Sequence, residues 1–250
     1  MDLGLHGLKA IVTGGTKGIG RAIVDLLAAE GCHVGFCARS PEDVALTVKA
    51  VQAKGVKASG AALDVTTAAL EPWMEQTVGE LGGLDILVAN VSALSAGATE
   101  QEWKDCFNID VLASVRTVNA AMPHLEKSKH GSIVAISSVA AVEVARGVRA
   151  YAAAKAALIA YISSVAATYP SIRANCVSPG TIYFQGGVWH RRQQNQPQVY
   201  EGALKRNPTG CMGKPEEVAN AAVFLASPAA SFISGANLVV DGKITQRIQF

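Results

Sequence analysis

Short apolar runs alternate along the whole chain with longer stretches of helical period, and this rhythm limits the fold more than any other feature. Residues 8–12, 33–38, 56–63, 84–89, 132–136, 173–177 and 237–240 read as strands. The run 84–89 is apolar at nearly every position, as a strand covered on both faces must be. Between strands, residues 18–30 place Ile19, Ile23, Leu26 and Leu27 on one helical face, and Gly31 ends the helix. Pro41 suits the first turn of a helix reaching about residue 54, and further helical stretches cover about 72–81, 100–126, 149–168 and 215–226. The expected class is α/β: a doubly wound parallel sheet of about seven strands, with helices on both faces and right-handed crossovers.

The 250 residues suit a single domain, 1–250. Half are hydrophobic and 17% are charged, which supports a sizeable core and excludes a disordered chain. A net charge of +2 gives no case for nucleic acid as a partner. Cys32, Cys37, Cys106, Cys176 and Cys211 are scattered and form no CxxC, so they read as reduced thiols of a cytoplasmic protein. The first residues lack the basic leader and cleavage site of a signal peptide. No apolar run is read as long enough to span a bilayer, so no membrane partner is expected. The five histidines show no ligand spacing, and no metal is expected. One long irregular region, about 180–212, reads as a substrate-binding lid.

Thr13-Gly14-Gly15-Thr16-Lys17-Gly18-Ile19-Gly20 lies between the first strand and the first helix. A pyrophosphate needs backbone N–H donors at close range and a helix N-terminus aimed at it, and glycines permit both. Gly14, Thr16, Lys17, Gly18, Ile19 and Gly20 are therefore cofactor-binding candidates in a Rossmann-type fold. The second strand ends in Phe36-Cys37-Ala38-Arg39-Ser40. A carboxylate there would accept from a ribose 2′-OH and select NAD, but Ala38 stands in that place. Arg39 and Lys17 suit a 2′-phosphate instead, so NADP(H) is the expected cofactor; two solvated surface cations are the plainer alternative.

Tyr151 and Lys155, four apart on a helix, share a face. A free phenol titrates near ~10, and an adjacent ammonium lowers that value, which fits Tyr151 to exchange a proton with a carbonyl oxygen. Ser138, thirteen residues before Tyr151 at the end of the fifth strand, offers a hydroxyl to the same oxygen; spacing favours it over Ser137.

The TGxxxGxG turn, the Tyr-x-x-x-Lys pair and Asn175-Cys176-Val177-Ser178-Pro179-Gly180 together resemble the short-chain dehydrogenase/reductase family over residues 8–242. The resemblance implies a catalytic set of Asn108, Ser138, Tyr151 and Lys155, with Asn108 holding a water that relays protons to the lysine. It implies adenine contacts from Asp64 and Val65, further cofactor contacts from Asn90, Tyr151 and Lys155, and nicotinamide contacts from Pro179, Gly180 and Ile182. It also implies a homotetramer or homodimer. Two departures stand out. Ala89-Asn90-Val91-Ser92 replaces the family's Asn-Asn-Ala-Gly, and Phe184 occupies the place of a threonine.

The lid region carries Tyr183, Phe184, Val188, Trp189 and Tyr200, with His190, Arg191, Arg192, Lys205 and Arg206 against the single acid Glu201. Aromatics suit an apolar ketone; cations suit a carboxylate or a phosphopantetheine thioester. Lys127, Lys129, His130 and Arg173 form a second basic group, read as a solvated edge away from the site. The expected function is NADPH-dependent reduction of a small-molecule ketone, a 3-oxoacyl thioester among the candidates, to a secondary alcohol. A non-catalytic NADP(H) sensor and an oxidative alcohol dehydrogenase are the alternatives.

Overall fold

The computed structural model describes residues 2–95, 97–143 and 149–248. Its strands are β1 (Lys9–Thr13), β2 (His33–Ala38), β3 (Ala58–Ala62), β4 (Ile86–Ala89), β5 (Ser132–Ile136), β6 (Arg173–Pro179) and β7 (Asn237–Val240). All pair in parallel in the order β3-β2-β1-β4-β5-β6-β7.

Side chains alternate between the two faces, and both faces are covered. Ala10 and Val12, Ile86 and Val88, Val134 and Ile136 pack with residues of α1 (Gly18–Ala29), α2 (Pro41–Gln52) and α9 (Pro215–Ala226). Ile11, Leu87, Ala89, Ile133 and Ala135 pack with α3 (Leu70–Leu81), α5 (Ala113–Leu125) and α6 (Ala150–Thr168). This double burial is why the central strands are apolar at successive positions. The helix α6 is long and apolar enough to cross a membrane, contrary to the expectation that no such run exists. About a third of that length is buried within the fold, through Ala154, Leu158, Ile162 and Val165 among others.

Two helical regions differ from expectation. The helix expected over 100–126 is divided into α4 (Glu100–Cys106), a π-turn (Phe107–Leu112) and α5. Thr99 and Glu102 start α4 with reciprocal capping hydrogen bonds. The region expected to be irregular contains α7 (Val188–Asn195) and α8 (Pro197–Arg206). Pro197 stands at the first position of α8, where its missing N–H costs nothing.

The chain leaves β1 toward β2 and leaves β4 toward β5. Loops at the C-terminal ends of these adjacent strands therefore part, and a crevice opens between them.

Candidate active site

Two neighbours pin the glycine turn that follows β1. Gly14 and Gly15 donate to the Cys37 carbonyl at 2.9 and 3.1 Å. Asn90, directly after β4, donates from Nδ2 to the Thr13 and Gly14 carbonyls at 3.0 and 3.2 Å. Its own N–H donates to Thr13 Oγ1 at 3.0 Å. Asn90 thus shapes the turn with its side chain. Gly20 is required by a close approach: a Cβ there would collide with the Gly14 carbonyl and with Asn90 Nδ2. Gly18 has φ +54° and opens α1. The first turn of α1 has no side-chain cap and no acid, so its N–H groups remain for an anion. A cradle this close suits a pyrophosphate, and the residues fit a nicotinamide dinucleotide. Thr16 and Ile19 lie half-buried beside it. The Phe184 ring rests on Gly18, at the opening of this cradle.

At the adenosine end, Arg39 is exposed after β2. Lys17 is also exposed, but it pairs with Asp43 at 2.6 Å, so only Arg39 matches the expected pair of uncommitted cations. Asp64 Oδ1 accepts from the Thr66 N–H at 2.9 Å and the Thr66 hydroxyl at 2.7 Å. These bonds, with the charge of Arg39 adding to them, hold the Asp64 carboxyl below the usual range. Val65 is buried beneath.

The catalytic candidates meet where β5, α6 and the π-turn converge. Ser137 is buried and donates to the Lys155 carbonyl at 3.0 Å, a structural bond. Ser138 is half-buried; its oxygen accepts from the Ala140 N–H at 3.2 Å, which leaves its proton for another acceptor. Tyr151 is half-buried, and the Lys155 ammonium stands 5.8 Å from its ring centroid. Lys155, 1% exposed, donates to the Ile136 carbonyl at 2.9 Å.

Asn108 does not partner the lysine. Its Oδ1 accepts from Arg116 Nη2 at 3.2 Å. The residue that meets Lys155 is Asp110, whose Oδ1 lies 2.9 Å from Nζ with both side chains buried. The side chain that meets the lysine directly thus stands two places beyond Asn108. Helical phase carries the signal that would have found it. Cys106, Asp110, Ala113, Ser114, Thr117, Val118 and Ala121 form the buried face, so an acid stands in an otherwise inward-facing row. Asn108 lies off that row.

Ser92 keeps an ordinary φ, and its hydroxyl accepts from the Leu94 N–H at 3.3 Å. The left-handed residue in this segment is Leu94, with φ +52°. Beyond β6, the Gly180 N–H donates to the Val240 carbonyl, and Ile182 pairs with Gly213. These contacts anchor the start of the lid next to Pro179. Within the lid, Tyr183 donates to Gln193 at 2.7 Å, Arg191 to the Gly186 carbonyl at 2.6 Å, and Arg192 lies 4.7 Å over the Trp189 ring. Burial, with Arg149 nearby, lowers the Arg192 pKa from its ordinary value. In the second basic group, Lys127, Lys129 and His130 are exposed, but Arg173 is not a solvated cation. It donates to the Leu225, Ala226 and Ser227 carbonyls and closes the C-terminus of α9. All five cysteines are unpaired, and burial pushes the Cys32, Cys37 and Cys176 thiols up to about 12.

An anion cradle at the switch point of a doubly wound sheet, with a Tyr-Lys pair beside it, defines a class of nicotinamide-dependent oxidoreductase. A family model described as "Enoyl-(Acyl carrier protein) reductase" matches residues 14–245. The chain is 37% identical over 259 residues to the isoepoxydon dehydrogenase of Penicillium expansum, which covers 100% of this chain and 99% of that relative. It is 34% identical over 249 residues to dehydrogenase/reductase SDR family member 4 of Oryctolagus cuniculus, covering 96% and 94%. The solved L-sorbose reductase of Gluconobacter frateurii, complexed with NADPH and L-sorbose, matches with a TM-score of 0.91 at 29% identity, covering 99% of this chain and 100% of that one. The chain belongs to the short-chain dehydrogenase/reductase family.

Proposed function

We propose that this protein is an NADPH-dependent carbonyl reductase that converts a small ketone to a secondary alcohol. The observation that carries the reading is the half-buried Tyr151 with the Lys155 ammonium 5.8 Å from its ring, beside a half-buried Ser138 with an uncommitted proton. Tyr151 gives its phenolic proton to the carbonyl oxygen, and Lys155 stabilises the phenolate left behind. Ser138 donates a hydrogen bond to the same oxygen and aligns it. The cofactor, when bound, supplies the hydride to the carbonyl carbon. Gly14, Gly18 and Gly20 would hold its pyrophosphate at the N-terminus of α1, and Arg39 would take the 2′-phosphate.

NADPH is favoured by Arg39 and by Ala38 in place of a ribose-binding acid. The same fold carries NADPH in one solved relative and NADH in another, so the choice rests on Arg39 and Ala38. The lid chemistry favours a compact substrate: Arg191 and Arg192 are committed within the lid, which leaves less cationic surface there for a phosphopantetheine arm. The test follows NADPH oxidation over a panel holding an acetoacetyl thioester, an aryl ketone, a cyclic ketone and a keto sugar, each repeated with NADH. Turnover of a free ketone with NADPH supports the reading. Turnover confined to NADH, or to the reverse oxidation of alcohols, contradicts it.

A further inference from the structure

Lys155 presents an electrostatic problem that the proton-transfer scheme does not address. An ammonium with 1% of its side chain exposed is strongly penalised by lost hydration unless a counter-charge offsets the loss. The backbone carbonyl of Ile136 accepts one of its protons but carries no net charge. Asp110 supplies the charge. Its side chain is fully buried, and its Oδ1 stands 2.9 Å from Nζ. That contact lies off the hydrogen-bonding direction, so it is ionic rather than directional. The other oxygen accepts from the Ala93 N–H at 3.2 Å, which ties the carboxylate to the segment following Asn90. The π-turn brings Asp110 to this position, and such turns concentrate at functional sites.

The other titratable groups facing the pair from the described elements are Tyr151 on α6, Cys106 on α4 and Cys176 on β6. Burial, reinforced by Asp110, raises Cys106, and burial raises Cys176 to about 12; both thiols remain neutral at physiological pH. Asp110 is thus the one counter-charge for the lysine among the described residues.

We propose that Asp110 is a positioning residue, a buried carboxylate that keeps Lys155 charged and fixed beside Tyr151. The inference rests on the reading of Tyr151 as proton donor. It adds that the charge of residue 110, rather than its shape, sustains that chemistry. Without the carboxylate, the buried ammonium is left without a counter-charge among the described residues, and Tyr151 loses a fixed electrostatic partner.

The test compares kcat and KM for ketone reduction by wild type, Asp110→Asn and Asp110→Glu between pH 5 and 9, with Tyr151→Phe as reference. Asparagine preserves size and removes charge. Asp110→Asn is expected to lower kcat at neutral pH roughly ten- to a hundred-fold, the scale of weakened acid–base catalysis, while KM changes far less. Its kcat is expected to recover as pH falls, a recovery wild type does not show. A wild-type rate and pH profile in Asp110→Asn overturn the proposal, as does a loss of rate independent of pH. If Asp110→Asn does not fold, Asp110→Glu decides: a retained wild-type pH profile supports the role of charge, and an altered one overturns it. Full turnover in Tyr151→Phe would remove the proton-donor reading itself. An inactive Tyr151→Phe with an unshifted Asp110→Asn removes this inference alone.

Discussion

Replacing Gly20 by alanine probes the cofactor cradle most sharply. In an unobstructed helix the change would stabilise the fold by up to about 1 kcal/mol, because glycine is the poorer helix former. Position 20 reverses the sign. The added methyl meets the Gly14 carbonyl and Asn90 Nδ2, and neither is the free end of a flexible chain. To admit it, the glycine turn must move away from α1, which strains or breaks the two hydrogen bonds from Asn90 Nδ2. Overpacking of this kind costs typically ~1–3 kcal/mol, and each weakened hydrogen bond about 0.5–1.5 kcal/mol more. A net loss of about 2 kcal/mol would lower the melting temperature by roughly 4–8 °C for a chain of this size. Cofactor binding should suffer more than stability, since the turn that moves is the one meant to hold the pyrophosphate. Thermal melting and titration of NADPH fluorescence measure the two effects separately. A Gly20→Ala protein that binds NADPH as wild type does would refute the assignment of this turn as the cradle.

Removing the Phe184 ring by Phe184→Ala should tighten NADPH binding several-fold, because the ring no longer has to leave Gly18; weaker binding would mean that the ring belongs to the loaded site. Arg39→Ala should lower the ratio of NADPH to NADH affinity by roughly ten- to a hundred-fold, the worth of a charge-assisted phosphate contact, and titration with both cofactors reads this directly. For Asp241, burial is outweighed by the N–H and hydroxyl of Thr245 and the N–H of Lys243, and the carboxyl sits below its ordinary value. Its stabilisation is therefore present above the unfolded value near ~3.9 and is lost as pH falls through the lower folded value. Melting curves of wild type and Asp241→Asn should differ at neutral pH and converge in strong acid; a gap that persists there contradicts the ionic role.

The sheet was legible because double burial leaves a plain mark: 84–89 and 132–136 admit almost no polar residue. The edge strand was read less well. Residues 56–63 contain the shorter Ala58–Ala62, an alanine-rich strand paired only with β2 and partly open to solvent. The lid hid its helices for a related reason. Arg191-Arg192-Gln193-Gln194-Asn195-Gln196 has no apolar stripe, and most of α7 is held by contacts within the lid rather than by the core. Glycine, serine, tyrosine and lysine positions in the site could be read because each belongs to a fixed local spacing. Asp110 belongs to no such spacing: helical phase marks it as inward-facing, but the lysine meets it only through the fold. The Lys17–Asp43 pair likewise forms only through the fold and has no mark in the local sequence.

The central claim is that Tyr151 transfers the proton. Its most direct test is single-turnover ketone reduction by Tyr151→Phe, with NADPH binding measured on the same protein. Binding is expected to be largely kept while turnover falls by roughly 10²–10⁴-fold, the usual contribution of a positioned acid. Turnover near the wild-type rate would contradict it.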